Sequence, residues 1–123
     1  MYNVASMTRL YHITSAGEAR HAVVTGEYTP RAYDADGFIH CSHARQVLAV
    51  AHRRYRGQHD LVLLEIDRER LPCPVVIENL EGGAELFPHI YGRLPMSAVL
   101  AVHDFPCEPD GGFRLPPAIA ADG

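Results

Sequence analysis

Two short segments of the chain share one pattern, in which a histidine is followed by an apolar residue and then by a hydroxyl residue. The segments are residues 12–14 (H-I-T) and residues 40–42 (H-C-S). Side chains two positions apart in a strand point to the same face, so each segment presents an imidazole beside a hydroxyl. Each also precedes a predicted helix, whose first amides favour anions. The pattern predicts a polar cleft for phosphate or ribose oxygens.

A third candidate histidine, His89, lies in the segment F-P-H-I-Y-G, and Tyr91 follows it at the same strand parity. Histidine is suited to proton transfer near neutral pH and to contact with anions. The candidate catalytic residues are therefore His12, His40 and His89. The candidate contacts of a cofactor are His12, Thr14, Ser42 and Tyr91.

Each candidate also has a structural alternative. His12 is equally consistent with a half-buried histidine whose ring nitrogens are satisfied by the protein. Thr14 and Ser42 can instead cap the two predicted helices. The pair His40 and His43 has a spacing that two metal ligands could use, but the motif fixes no third ligand and H-E-x-x-H is absent. No metal site is predicted.

Composition limits the class of protein. The chain has 123 residues, of which 47% are hydrophobic and 21% are charged, as in one soluble globular domain. No apolar run approaches the roughly 18 residues of a membrane span, and no signal-like segment is present, so we expect a cytoplasmic protein without a membrane partner. The three cysteines lie far apart and indicate neither a disulfide framework nor a zinc site.

The charged residues limit which ligands and macromolecules the protein is expected to bind. The net charge is −4, which is unlike a binder of long nucleic acid, whereas a small anionic ligand needs only a local pocket. All 11 basic residues are arginine, and the absence of lysine excludes Schiff-base and phosphate-loop lysines. Arg53, Arg54 and Arg56 form a cluster that is either a solvated face or a phosphate contact. The oligomeric state is not predicted.

Helices early in the chain and short strands late in it predict an α+β fold. The Ser15-x-x-Glu18 spacing predicts a capped helix with Ala19, Ala22 and Val23 on its apolar face, ending at Gly26. A second helix follows a cap at Ser42 and runs to about Tyr55. The predicted strands are residues 9–14, 38–41, 61–67, 75–79, 87–91 and 98–105. Residues 28–36 are predicted as a loop.

The sequence also predicts how the chain is divided. Residues 1–8 are predicted as a leader and residues 9–105 as the single domain. Residues 106–123 are predicted as a Pro-, Gly- and Ala-rich tail.

Four blocks of the sequence carry a family resemblance. They are Y-H-I-T, D-G-F-I-H-C-S, L-V-L-L-E-I-D and F-P-H-I-Y-G-R-L-P, in that order over residues 9–105. The chain resembles the DUF952 family of small bacterial domains of unknown function. That family is in turn similar to the ADP-ribosyltransferase-like fold, a bent, split β structure with helices packed on its early part and with NAD bound between the two sheets.

The resemblance implies roles for the candidate residues. His12 would hydrogen-bond a ribose hydroxyl of NAD with Thr14 nearby, His40 would come from the second motif strand, and His89 or Tyr91 would fall near the third motif position. Two positions depart from the pattern. Ile13 replaces the usual glycine, and no clear acidic residue stands at the third position, for which Glu78 and Glu85 are candidates.

Three functions follow as hypotheses. The first is binding of NAD or a related ribose-phosphate ligand in a histidine-lined cleft, with ADP-ribosyltransferase-like or NAD-dependent phosphotransferase-like catalysis. The second is a two-histidine phosphodiesterase that acts on a cyclic or RNA phosphodiester, since such enzymes use paired H-x-[TS] elements. The third is a ligand- or partner-binding module without catalysis, in which the histidines are structural.

Overall fold

The computed structural model describes residues 8–80 and 82–119. Within these residues the fold is mixed α+β, as predicted. Eight strands are β1 (Arg9–Ser15), β2 (Glu27–Tyr28), β3 (Ile39–His40), β4 (Leu61–Asp67), β5 (Val75–Glu78), β6 (Phe87–Ile90), β7 (Leu94–Pro95) and β8 (Val99–Asp104). The helices that lie wholly within the described residues are α1 (Ala16–Thr25), α2 (Tyr33–Asp36) and α3 (Ala44–Arg54), and 3₁₀ turns cover Arg68–Arg70 and Met96–Ala98.

Two antiparallel three-stranded sheets and one two-stranded ribbon make up the β structure. The first sheet has the order β1-β4-β8, the second has the order β3-β6-β5, and β2 pairs with β7. An isolated bridge joins the two larger sheets, because Tyr11 and Ser42 exchange backbone hydrogen bonds of 2.9 and 2.8 Å. The free edge of β1 therefore lies against the segment that follows β3.

The hydrophobic core covers both faces of β4, which explains why this strand is an almost continuous apolar run. On one face Leu64 and Ile66 pack with the small residues of α1. On the other face Leu61 and Leu63 pack with α3, whose buried residues include Val47. Since side chains alternate along a strand, one segment holds both helices in place on opposite sides of the first sheet.

Helix α1 begins and ends where the sequence predicts. The Ser15 hydroxyl accepts a hydrogen bond from the Glu18 amide, and Gly26 ends the helix in the left-handed conformation at φ 88°. The reciprocal half of the predicted capping box is missing, because the Glu18 side chain is hydrogen-bonded to Thr14 Oγ1 instead. The expectation for Val23 is wrong, since its side chain is 62% exposed.

The predicted cap of the second long helix is also wrong. The N-cap of α3 is His43, whose backbone amide donates to the Gln46 side chain. Ser42 is instead buried, with its backbone in the bridge to Tyr11. The bridge holds Ser42 two residues before Ala44, the first residue of the helix, so His43 takes the capping position.

Several connecting segments are more ordered than predicted. Residues 28–36 contain the end of β2 and all of α2, and β7 was not predicted. Residues 106–119 lie on the core through buried Phe113 and Ile119, and the Phe113 ring stacks on Phe105 at 4.9 Å between centroids. Of the predicted leader, residues 1–7 lie outside the described residues. Among the residues that are described, no helix has both the length and the apolar character needed to cross a membrane.

Candidate functional site

The three candidate histidines line one cleft of about 370 Å³. His12 comes from β1 of the first sheet, whereas His40 of β3 and His89 of β6 stand directly opposite each other in the second sheet. The cleft lies where these sheets meet, and α1 and α3 contribute further lining residues. Histidines that are distant in sequence thus surround one hollow of a size typical of small-molecule sites.

His12 forms the inner corner of the cleft, and both of its ring nitrogens have protein partners. Nδ1–H donates to the His40 carbonyl oxygen at 2.5 Å, and Nε2 lies 2.8 Å from the Tyr28 hydroxyl. Burial lowers the pKa of His12 to about 4, although the carbonyl hydrogen bond acts in the opposite direction. This arrangement matches the structural alternative predicted for His12, yet it holds the ring on the cleft wall.

The Tyr28 hydroxyl extends this contact toward the cleft surface. It is hydrogen-bonded to Thr14 Oγ1 at 3.0 Å, and Thr14 Oγ1 is hydrogen-bonded to Glu18 Oε2 at 2.8 Å. Burial raises the pKa of Tyr28, so its hydroxyl keeps its proton at neutral pH. Thr14 is therefore part of a buried polar network and does not cap α1.

His89 is held by an acidic side chain on the neighbouring strand. Its Nδ1–H donates to Glu78 Oε2 at 2.9 Å, and the Phe38 ring stacks on the imidazole at 4.1 Å between centroids. The side chain is only 2% exposed, and among the described residues Nε2 has no hydrogen-bond partner. A carboxylate on one nitrogen fixes the tautomer and leaves the other nitrogen able to accept a proton.

Tyr91 lies on the same face as His89, as its parity predicts, but it acts through Glu78. The Tyr91 hydroxyl donates to Glu78 Oε2, and Tyr91 itself does not line the cleft. The hydrogen bond from Tyr91, and then the one from His89, lower the pKa of Glu78. In turn, the bond to Glu78 raises the pKa of Tyr91. The carboxylate stays ionised as the shared partner of both rings.

His40 has a carboxylate partner of its own, because its Nε2–H donates to Asp36 Oδ2 at 3.1 Å. The His40 and His89 rings meet edge to face with centroids 5.3 Å apart. The two imidazoles at the front of the cleft are thus each held through one nitrogen by an acidic side chain. Such a pair can supply an acid and a base to one bound group.

The remaining wall of the cleft is formed by arginine side chains, a serine hydroxyl and aromatic rings. Arg53 and Arg54 at the end of α3 line it, as do Tyr55 and Ser42. The arginine cluster therefore reaches the cleft through two of its members, and guanidinium groups bind phosphate well. Ser42 keeps a position on the cleft wall although it does not cap the helix.

Two further side chains have other roles. Cys41 is buried, and burial raises the pKa of its thiol, which makes it a poor nucleophile. Glu85, one of the two acidic candidates, accepts a hydrogen bond from Gln46. Within residues 8–80 and 82–119, no group of three or more His, Cys, Asp or Glu side chains is arranged to hold a metal ion.

Sequence reasoning missed four residues of the site, which are Glu18, Tyr28, Asp36 and Phe38. Asp36 and Phe38 flank the turn before β3. They lie four and two residues before His40, and this short spacing could have identified them as neighbours of the His40 ring. Tyr28 belongs to a two-residue strand with no periodicity to detect. Glu18 has the spacing of a capping residue from Ser15. Because a capping role already accounted for Glu18, the sequence did not suggest its hydrogen bond to Thr14.

Comparison with known proteins gives a family and a set of solved structures. The DUF952 model, described as a protein of unknown function, matches residues 13–102. The crystal structure of CC0527 from Caulobacter crescentus is 37% identical, with a TM-score of 0.78, and the match covers 88% of this chain and 95% of that one. The solution NMR structure of CC0527 is 37% identical, with a TM-score of 0.75, and the match covers 86% and 91% of the two chains. No match was found among curated proteins.

Proposed function

This chain belongs to the DUF952 family of proteins of unknown function, and we propose that it binds NAD or a related ribose-phosphate ligand in the histidine-lined cleft, as an ADP-ribosyltransferase-like domain. One observation carries the proposal: His12, His40 and His89 line a single cleft between two sheets. A ligand between two sheets is also what the family resemblance implies.

The chemistry of the cleft wall fits the parts of such a ligand. Arg53 and Arg54 supply positive charge for phosphate oxygens. Phe38 and Tyr55 supply aromatic surface for a base. His40, His89 and Ser42 offer hydrogen bonds to ribose hydroxyls. NAD and ADP-ribose contain all three parts, whereas a simple carboxylic acid would leave most of the wall without a partner.

The proposed proton-transfer residue is His89. Glu78 orients its ring and leaves Nε2 for a ligand, which is the geometry of a general base or acid. Of the two acidic candidates, Glu78 is the one that we propose takes the third role, and it acts through His89, since Glu78 does not itself line the cleft.

A second function has its own supporting observation. The His40 and His89 rings are 5.3 Å apart, and each is held by a carboxylate. A base and an acid at this separation suit cleavage of a cyclic or RNA phosphodiester, with one imidazole removing a proton and the other supplying one. We therefore keep the two-histidine phosphodiesterase as the alternative.

Calorimetric titration with NAD, ADP-ribose and a 2′,3′-cyclic nucleotide tests the proposal. We expect NAD or ADP-ribose to bind, His89→Ala to weaken binding about tenfold or more, and Arg53→Ala to weaken it by a similar factor. His21→Ala is the matched control, because His21 is exposed on α1 and does not line this cleft.

Three outcomes separate the hypotheses. Absence of binding at millimolar ligand with a folded sample would overturn the proposal. Hydrolysis of the cyclic nucleotide that is lost in both His40→Ala and His89→Ala would establish the alternative. Binding of NAD without any turnover would identify a binding module without catalysis.

A further inference from the structure

The inner corner of the cleft contains an unbroken chain of hydrogen-bonding groups. It runs from His12 Nε2 to the Tyr28 hydroxyl (2.8 Å), on to Thr14 Oγ1 (3.0 Å) and then to Glu18 Oε2 (2.8 Å). His12, Thr14 and Tyr28 are buried, whereas the Glu18 side chain is 34% exposed. All four side chains line the cleft. The chain therefore connects a buried imidazole to a carboxylate at the surface.

The three hydrogen bonds of this chain need one proton more than its two hydroxyls carry. The His40 carbonyl oxygen can only accept, so His12 Nδ1 must carry a hydrogen. The three links from His12 to Glu18 need three protons, but the Tyr28 and Thr14 hydroxyls supply only one each. The third proton has to sit on His12 Nε2 or on Glu18 Oε2.

Two arrangements satisfy every link. In one, imidazolium His12 donates to Tyr28, Tyr28 donates to Thr14, and Thr14 donates to ionised Glu18. In the other, protonated Glu18 donates to Thr14, Thr14 donates to Tyr28, and Tyr28 donates to neutral His12. Each hydroxyl rotates and passes on one proton, so a single proton moves between the ends while no heavy atom shifts.

We propose that Glu18 and His12 share one titratable proton through Thr14 and Tyr28, so that Glu18 is the outer end of a proton relay that serves the cleft. The inference deepens the proposed function and rests on it for the identity of the ligand. A ligand oxygen that gains negative charge beside Tyr28 would take the Tyr28 proton, which Thr14 replaces with its own and protonated Glu18 replaces in turn. That step leaves Glu18 ionised and the ligand oxygen neutral, so charge is conserved.

The groups around the relay bias where the shared proton lies. Burial and the charge of His40 oppose a cation at His12, so the proton favours the Glu18 end. Arg31 is the charged neighbour of Glu18, with its Nε 3.5 Å from Oε1, but the Arg31 side chain is 95% exposed, so this ion pair is weak. Tyr28, Tyr55 and Cys41 stay neutral in this range, because burial raises the pKa of each.

Nuclear magnetic resonance of the free protein tests the relay without any ligand. Long-range proton–nitrogen correlations report the protonation of the His12 ring. The chemical shift of the side-chain carboxyl carbon reports the protonation of Glu18. Both are measured as the pH is lowered from about 8 to about 4. We expect both ends to report the same midpoint in the wild-type protein, as strongly coupled sites do. Separate midpoints in the wild-type protein would overturn the proposal.

Variants that cut the relay make the test specific. Tyr28→Phe removes the middle link, and we expect the two midpoints to separate by about one pH unit or more. Thr14→Val cuts the chain next to Glu18 and serves if Tyr28→Phe does not fold. Tyr33→Phe and Glu27→Gln are matched controls, because neither residue belongs to the relay. A common midpoint that survives in both Tyr28→Phe and Thr14→Val would contradict the proposal.

Failure of the relay can be told apart from failure of the proposed function. Titration with ADP-ribose is measured on the same samples by calorimetry. A common midpoint in the free protein without ADP-ribose binding supports the relay and overturns the proposed ligand. Binding of ADP-ribose with independent midpoints supports the ligand and overturns the relay.

Discussion

The inner and front parts of the cleft use the same residue type in opposite ways. At the inner corner, His12 has a partner on each nitrogen and is 9% exposed. At the front, His40 and His89 each have one nitrogen on a carboxylate, and the other nitrogen has no hydrogen-bond partner among the described residues. The inner ring is suited to holding the cleft together, and the front rings are suited to contact with a ligand.

The nature of the partner accounts for the difference. A backbone carbonyl fixes the hydrogen on Nδ1 but adds no charge, so burial dominates and His12 stays neutral. Asp36 and Glu78 each accept a hydrogen bond from one ring nitrogen and bring a negative charge beside the ring. A histidine motif in a sequence therefore does not define a role until the partner of each ring nitrogen is known.

The largest expected effect is a difference in the free energy of unfolding between a variant at the inner corner of the cleft and a variant at its front. His12→Ala leaves the His40 carbonyl and the Tyr28 hydroxyl without their partner and opens a cavity, so we expect the free energy of unfolding to fall by about 3–5 kcal/mol. His40→Ala removes a half-exposed ring and should cost less than about 1 kcal/mol. Urea unfolding followed by circular dichroism measures both, and equal losses would contradict the distinction.

The next effect is the pH dependence that His12 gives to stability. In the folded state its pKa is about 4, against about 6.5 in the unfolded chain. Between these values the unfolded chain binds a proton that the folded protein does not. Stability should therefore fall as the pH is lowered from about 6.5 to about 4, by on the order of 3 kcal/mol. Unfolding measured at intervals over this range should show a shallower slope in His12→Gln.

A smaller effect concerns ligand binding at the front of the cleft. Glu78→Gln keeps the shape of the side chain but removes its charge, so we expect ADP-ribose binding to weaken about tenfold. The matched control is Glu65→Gln, because Glu65 accepts a hydrogen bond from His103 at 2.7 Å and neither residue lines the cleft. If both variants bind equally well, the charge of Glu78 has no role in the site.

The smallest effect is that of Tyr91→Phe, which removes one hydrogen bond to Glu78. We expect only a small loss of stability, because the bond is partly exposed to water. Since the Tyr91 hydroxyl makes the largest contribution to lowering the pKa of Glu78, the carboxyl should titrate closer to its ordinary range in this variant. Carbon-13 shifts of the Glu78 carboxyl report this change, and an unaltered titration would show that His89 alone holds the group.

Local pattern was enough to predict much of the fold. The parity of His89 and Tyr91 placed both side chains on one face, and the apolar run at residues 61–67 identified the central strand. The cap at Ser15 and the stop at Gly26 were also predictable, because they depend on residues close in sequence.

The partners of the ring nitrogens were not predictable, since they depend on how strands pair. Glu78 reaches His89 because β5 and β6 pair in a register that sets Val76 opposite His89. The acceptor for His12 is the carbonyl of His40, on a strand of the other sheet. Neither relation leaves a trace in local spacing, so the chemistry of the individual histidines became visible only in three dimensions.

The short pairing of β3 with β6 makes assembly of the site an all-or-none event. Only Ile39 and His40 belong to β3, and a backbone hydrogen bond from Cys41 to Pro88 at 3.0 Å adds one further rung. A slip of one residue would turn His89 to the opposite side of the sheet and carry it away from both His40 and Glu78. A mutation in β6 that changes the register therefore removes the site as a whole, because the register changes in whole residues and the His40–His89 distance cannot increase by small steps.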